Sequence, residues 1–184
     1  MLSMKFLASK LKPTILRRSD SLVYWQVILA LAGGVTSVTP ACIAPLAAVA
    51  TLAGRTLSWR SASVTLLGAV AANQFVGFFL LGYPRTATTV VWGPIFFVAT
   101  LVAMAVARRV AQPVVAFVAS FVAYEAVLAA YTFVTERSLA AFAPGIVTKV
   151  ALANVLGMAV LGLVYVGIGA IERMTAAPAV RVVR

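Results

Sequence analysis

The sequence predicts an all-α membrane protein with six transmembrane helices and both ends on the cytoplasmic side of the inner (plasma) membrane. Apolar residues make up 63% of the chain and charged residues 10%, whereas charged residues are about a quarter of a soluble domain. The apolar residues form long runs, and nearly all Lys and Arg lie between these runs. We therefore predict one transmembrane domain over residues 21–172, with a basic cytoplasmic arm over 1–20 and a basic cytoplasmic tail over 173–184.

Four of the apolar runs each predict one transmembrane helix, because a helix of about 20 residues crosses about 30 Å of hydrocarbon. These runs are residues 62–82, 91–107, 112–134 and 147–171.

Residues 21–54 need a different interpretation, since thirty-four residues without a charge would form a single helix about 50 Å long. The stretch contains several residues that break or bend helices, namely Gly33, Gly34, Ser37, Thr39, Pro40 and Pro45. We predict that the first two helices are short and form a hairpin, with a tight turn around Gly33–Pro40. Tyr24 and Trp25 at the start of the first helix are expected at the headgroup level.

The distribution of Lys and Arg favours six spans over five. With six spans, twelve of the fifteen Lys and Arg lie on the cytoplasmic side. The loop pairs Arg55 with Arg60 and Arg108 with Arg109 then share that side with both chain ends. With five spans the split is eight against seven, which removes the excess that cytoplasmic loops carry.

The composition argues against catalysis and metal binding. The chain has no His, and Cys42 is its single cysteine. The acidic residues are spread along the chain, at Asp20, Glu125, Glu136 and Glu172. Because no nucleophile–base pair or ligand cluster can be assembled, we expect no enzyme, metal or cofactor. The net charge of +11 lies at helix ends, so we expect it to meet the lipid bilayer and not nucleic acid.

Polar side chains within the apolar runs mark a candidate substrate site, because such groups are costly in hydrocarbon. In the six-span topology they lie near the midplane or in the outer half, below polar loop residues. The candidate substrate-binding residues are Glu125, Asn73, Gln74, Asn154, Lys149, Arg85, Trp92 and Tyr124. This distribution predicts a polar cavity that opens to the outer side and captures a small polar molecule.

Roles within this site follow from side-chain chemistry. Glu125 would face a cationic group, Arg85 or Lys149 an anionic one, and Trp92 or Tyr124 could stack on a ring.

The amides have a second interpretation, since Asn and Gln in membrane helices also hydrogen-bond to a neighbouring helix. Asn73 and Gln74 project about 100° apart, so we expect one to line the cavity and the other to bond a neighbouring helix. We expect Ser120 and Thr132 to bond carbonyls of their own helix.

Small residues at helical spacing are candidate contacts between helices. Ala30 with Gly34, and Ala44 with Ala48, have the spacing that permits close helix approach. They pack inside the chain or form an interface with another membrane subunit, and the sequence leaves both readings open.

A family resemblance rests on the overall size and topology and on two sequence features. These are the pair Ala30 and Gly34 and the segment Ala72-Asn73-Gln74-Phe75-Val76-Gly77-Phe78. The chain resembles the substrate-binding S component of an energy-coupling-factor (ECF) vitamin transporter, although that family usually has paired alanines at the helix 1 motif. The resemblance implies capture of a vitamin or precursor at the outer side. It also implies partners: a transmembrane coupling subunit that contacts helix 1, and cytoplasmic ATPases that drive release inward.

Two other functions remain open from the sequence. The first is a stand-alone ion- or proton-coupled carrier, in which Glu125 titrates as the coupling group. The second is a scaffold or assembly factor that transports nothing and uses the small-residue faces as its interface.

Overall fold

A computed structural model describes residues 19–35, 44–136 and 139–175. Every regular element within these residues is helical, which confirms the all-α prediction for this part of the chain. The α-helices are α1 (Ser19–Val35), α2 (Leu46–Thr56), α3 (Trp59–Phe75), α4 (Ala87–Val90), α5 (Trp92–Arg109), α6 (Pro113–Glu136) and α7 (Pro144–Thr175). A π-helical turn, Val76–Leu80, continues α3, and a 3-10 turn, Ala140–Phe142, precedes α7. The predicted arm up to residue 18 and the tail beyond residue 175 lie outside the described residues.

In the described part of the chain, four helical segments are long and apolar enough to cross a membrane: Trp59–Leu80, Ala87–Arg109, Pro113–Glu136 and Pro144–Thr175. Their outer faces carry large apolar side chains, of which Val134 and Leu163 are each 74% exposed. Exposed apolar surface on this scale fits contact with lipid tails better than contact with water. These four segments correspond to the four runs predicted as spans.

The two helices of the predicted hairpin, α1 and α2, are shorter than the four segments that are long enough to cross a membrane. α1 has 17 residues and α2 has 11, so α2 extends about 16 Å, half of the hydrocarbon thickness. Pro45 precedes α2 and Leu57 ends it in an extended conformation. The prediction of six spans is therefore not confirmed, because α2 is too short to cross.

The predicted turn around Gly33–Pro40 does not begin where the glycines are. α1 continues through Gly33 and Gly34 to Val35, and residues 36–43 lie outside the described residues. A Cβ at Gly33 would lie 2.4 Å from the backbone oxygen of Ala69 in α3. The glycines therefore do not form a turn. They allow α1 to approach α3 closely, as small residues do between membrane helices.

The short helix α2 forms the centre of the bundle. It packs against α1, α3, α5, α6 and α7, and its residues Leu46–Gly54 are all buried. Much of its surface is alanine, which lets the surrounding helices come close.

Trp25 is fully buried among the helices, whereas its depth at the headgroup level stays a prediction. Its indole Nε1 donates to Thr56 Oγ1 at 2.9 Å, and its ring centroid is 5.1 Å from that of Tyr165 in α7. A tryptophan can enter a protein interior when its N–H has such an acceptor. Its neighbour Tyr24 is 67% exposed.

The turns that follow α2 and α5 lie against each other. Arg55 Nη1 donates to the carbonyl oxygen of Val110 at 2.7 Å, and Arg108 Nη2 donates to that of Leu57 at 2.6 Å. These two loops were predicted to share one side of the membrane, and the structure brings them into contact. Residues 54–60 and 107–111 are called the arginine end below.

Candidate functional site

A cavity of about 400 Å³ lies between α3, α5, α6, α7 and the start of α2. Five of the eight predicted substrate-binding residues line it: Asn73, Trp92, Tyr124, Glu125 and Lys149. The remaining wall is mostly apolar, formed by Ala44, Leu46, Phe96, Leu128, Phe142, Ile146, Val147 and Val150. A mostly apolar wall with a few converging polar groups, at this volume, is typical of small-molecule sites. We call it the main cavity.

The main cavity lies in the half of the bundle away from the arginine end. At 1.5 Å per residue, Asn73 is about 21 Å along α3 from its start at Trp59. By the same measure Glu125 is about 18 Å from the start of α6, and Trp92 is about 25 Å from the end of α5. The starts of α3 and α6 and the end of α5 adjoin the arginine end, so these three residues share a similar depth.

Glu125 has a buried side-chain oxygen that the surrounding described residues do not bond. Its Oε1 is buried and has no hydrogen-bond partner among the described residues. A carboxylate oxygen left unpaired in a protein interior costs free energy that folding alone does not repay. Lys149 lines the same cavity from α7 but is exposed. Glu125 therefore brings to the cavity wall a carboxyl group with one buried oxygen that no described residue bonds.

Aromatic rings form one wall of the main cavity. The centroid of the Trp92 ring lies 5.6 Å from that of Phe96 and 5.2 Å from that of Tyr131. The planes of the Trp92 and Tyr131 rings meet at 78°. Such packing fixes the indole plane. Sequence reasoning selected Trp92 but missed Phe96, although their spacing of four residues puts both on one helix face.

A second cavity of about 300 Å³ adjoins the main one and shares Asn73, Trp92 and Phe96 with it. Gln74 lines this smaller cavity, and its Nε2 donates to Asn73 Oδ1 at 3.3 Å. Asn73 thus lines both cavities and Gln74 only the smaller one, whereas we expected one amide to line the cavity and the other to bond a neighbouring helix. Gly77, in the π-helical turn, also lines the smaller cavity. π-Helical turns often occur at functional sites.

Asn154 does not line either cavity. It is fully buried, its Oδ1 accepts a hydrogen bond from the backbone N–H of Ala48 at 3.0 Å, and its Nδ2 donates to the carbonyl of Val150 at 2.9 Å. Ala48 is the third residue of α2, whose N-cap Pro45 supplies no side-chain hydrogen bond. A helix that begins inside a bundle must have its first N–H groups satisfied there, and Asn154 of α7 does this. The structure thus favours the structural reading of this amide.

Replacing Asn154 with Ala should destabilise the fold while leaving ligand affinity of the folded protein unchanged. The variant leaves the Ala48 N–H buried without an acceptor, at a cost of about 1–3 kcal/mol. Thermal unfolding in detergent measures the loss. The control is Thr148→Ala, since the Thr148 hydroxyl is exposed and bonds only its own helix at Pro144. Equal melting temperatures for the two variants would contradict the capping role.

Arg85 also lines neither cavity. Its guanidinium carbon is 4.6 Å from the ring centroid of Phe79, so the side chain packs on an aromatic face in the loop after α3. Of the two hydroxyls expected to bond their own helix, Thr132 does so, donating to the carbonyl of Leu128. Ser120 does not: its Oγ donates across to the carbonyl of Ala103 in α5 at 3.0 Å, because α5 and α6 pack closely there.

The predicted interface residues all face the chain's own helices. A Cβ on Gly68 of α3 would lie 3.3 Å from that of Ala30, and a Cβ on Gly34 would lie 3.0 Å from Ala72. Ala44 and Ala48 are both buried, and Ala44 lines the main cavity. Gly34, Ala44 and Ala48 are buried, whereas Ala30 is only half-buried, so a partner could reach the first three only if the covering helices separated.

No group of three or more His, Cys, Asp or Glu residues capable of holding a metal occurs in the described part of the chain. The prediction that no metal or cofactor is bound stays a prediction. Comparison with protein-family models, with curated protein sequences and with solved structures yields no significant match to this chain.

Proposed function

We propose that this chain is an integral membrane protein that captures a small polar molecule from the outer side, as the binding subunit of a transporter. The observation that carries the proposal is Glu125, which lines a cavity of about 400 Å³ and whose buried Oε1 has no hydrogen-bond partner among the described residues. A polar group that is kept in hydrocarbon without a partner in its own chain is a functional candidate, because stability alone would remove it.

The orientation of the site follows from charge. The arginine end carries Arg55, Arg60, Arg108 and Arg109, and an excess of Arg favours the cytoplasmic side. The main cavity lies about 18–25 Å along the helices from that end. This depth corresponds to the outer half of a bilayer whose hydrocarbon core is about 30 Å thick. The cavity is therefore suited to capture from outside.

The walls favour a ligand that combines a cationic nitrogen with a flat apolar part. Glu125 would pair with the cation, and Trp92 and Phe96 offer ring faces to the apolar part. Lys149 at the rim is the partner for an anionic group, which makes a zwitterion the best match. The first residue of α2, Leu46, lines the same cavity. The N-terminal end of a helix dipole favours a negative group, which agrees with an anionic part of the ligand.

The transporter context rests on the resemblance to S components. In that arrangement a transmembrane coupling subunit and cytoplasmic ATPases supply the energy for release. Their contact surface on this chain would differ from Ala30 and Gly34, since those residues pack against α3. A stand-alone carrier that uses Glu125 as its proton-coupling group is the second candidate, favoured by the same unpaired carboxylate.

Cysteine accessibility tests capture from the outer side. In a Cys42→Ala background, Ile146→Cys puts a thiol on the wall of the main cavity, at a side chain that is 46% exposed. We expect a membrane-impermeant maleimide to label it in intact cells. The control Ser58→Cys, an exposed position at the arginine end, should react only after the membrane is permeabilised. The reverse pattern would contradict the proposed orientation.

A further inference from the structure

The arginine end contains a cavity that the proposed function does not use. It has a volume of about 510 Å³ and lies between the turn after α2 and the turn after α5. Its charged wall residues are Arg55 and Arg108, and no acidic side chain is among the residues that line it. It lies at the opposite end of the bundle from the main cavity.

The two arginines form reciprocal contacts between helix ends. Arg55, in the last turn of α2, donates to the carbonyls of Val110 and Ala111 beyond α5, at 2.7 and 3.0 Å. Arg108, in the last turn of α5, donates to the carbonyl of Leu57 beyond α2, at 2.6 Å. Basic side chains in last turns complement the helix dipole and cap exposed carbonyls. These bonds hold both guanidiniums at the cavity wall.

Capping leaves most of the donors of this pair unused. A guanidinium has five N–H donors; the carbonyl bonds use two of those of Arg55 and one of those of Arg108. The Nε of Arg55 is buried and has no partner among the described residues. Neither guanidinium contacts a carboxylate in the described part of the chain. The site therefore holds two positive charges that the protein does not neutralise there.

The position of the cavity indicates which kind of anion would suit it. The cavity lies where α2 and α5 end and α3 and α6 begin, which is the headgroup level of a bilayer that α3, α5 and α6 cross. Basic pockets at this level bind phosphate-bearing headgroups, and arginine pairs suit phosphate because their N–H forks match its oxygens. Trp59, 5.5 Å from the Arg108 guanidinium, is 52% exposed, as an interfacial tryptophan would be.

We propose that the cavity at the arginine end binds a phosphate group between Arg55 and Arg108. An anionic phospholipid headgroup is its source. The Nη donors of the two arginines that the carbonyl bonds leave free bind the phosphate oxygens, and the acyl chains of the lipid lie along the exposed apolar faces of the neighbouring helices.

The test uses the full chain, delipidated in detergent, and three probes: phosphatidylglycerol, phosphatidylcholine and inorganic phosphate. Thermal unfolding is followed as each probe is titrated. Phosphatidylglycerol should raise the unfolding midpoint at the lowest concentration, and phosphatidylcholine should have little effect. A shift with inorganic phosphate alone would support the phosphate site but overturn the lipid source. No shift with either anionic probe would overturn the proposal.

The matched variants are Arg108→Gln and Arg109→Gln, which remove the same charge from adjacent residues, only the first of which lines the cavity. Arg108→Gln should weaken phosphatidylglycerol binding about tenfold, and Arg109→Gln less than about twofold. Arg108→Lys, which keeps the charge but not the fork, should give an intermediate loss and controls for failure of the Gln variant to fold. Equal losses in Arg108→Gln and Arg109→Gln would show nonspecific surface attraction and overturn the site.

Discussion

Replacing Glu125 with Gln is expected to weaken ligand binding about 10- to 100-fold. The change removes one negative charge but keeps the shape of the side chain and one carbonyl oxygen. A hydrogen bond to a charged group contributes about 1.5–3 kcal/mol, which corresponds to that range of affinity. The measurement is the amount of small molecule that remains bound per mole of purified protein.

The same variant should be at least as stable as the native protein when no ligand is bound. The native side chain has a buried oxygen without a hydrogen-bond partner among the described residues, and a neutral amide costs less to bury than a carboxylate. Glu136→Gln is the matched control, since Glu136 is exposed at the end of the same helix and should change neither property. Unchanged binding in Glu125→Gln would remove this residue from the site.

A loss of stability is also expected from Gly33→Ala, although the change adds a single methyl group. That methyl carbon would lie 2.4 Å from the backbone oxygen of Ala69, so α1 would have to move away from α3. Overpacking of this kind costs about 1–3 kcal/mol, and occasionally more. The intrinsic preference of helices for Ala over Gly offsets only about 1 kcal/mol of that cost. We expect a lower melting temperature and a lower yield of monodisperse protein in detergent.

Gly167→Ala is the control for this effect. Gly167 is an exposed helical glycine in α7 with nothing within 4 Å of an added Cβ. The substitution should be neutral or slightly stabilising, because only helix propensity changes. If both alanine variants were equally stable, the close contact between α1 and α3 would be absent in the protein.

Much of the candidate site could be predicted from the sequence, because polar groups in apolar runs are visible without a structure. Glu125 and Asn73 were selected on this ground and line one cavity. The charge pattern similarly predicted that the loops containing Arg55 and Arg108 share one side of the membrane, and the two loops are in contact.

Properties that depend on tertiary packing could not be predicted in this way. The structural role of Asn154 follows from α2 beginning inside the bundle, where Ala48 needs an acceptor. The burial of Trp25 depends on Thr56, thirty-one residues away. The short length of α2, by contrast, could be predicted from the sequence. Pro45 and the charged residue Arg55 bound an apolar stretch that is too short to cross a membrane.

The most direct test of the central claim is the small-molecule content of the native protein purified gently in detergent. The bound molecules are released by denaturation and identified by mass spectrometry. We predict one compound other than a lipid, with a cationic nitrogen, that is close to equimolar with the protein in every preparation. Its absence from all preparations, with Ile146→Cys labelling unaffected by added amines and zwitterions, would contradict the claim that Glu125 and its cavity bind a substrate.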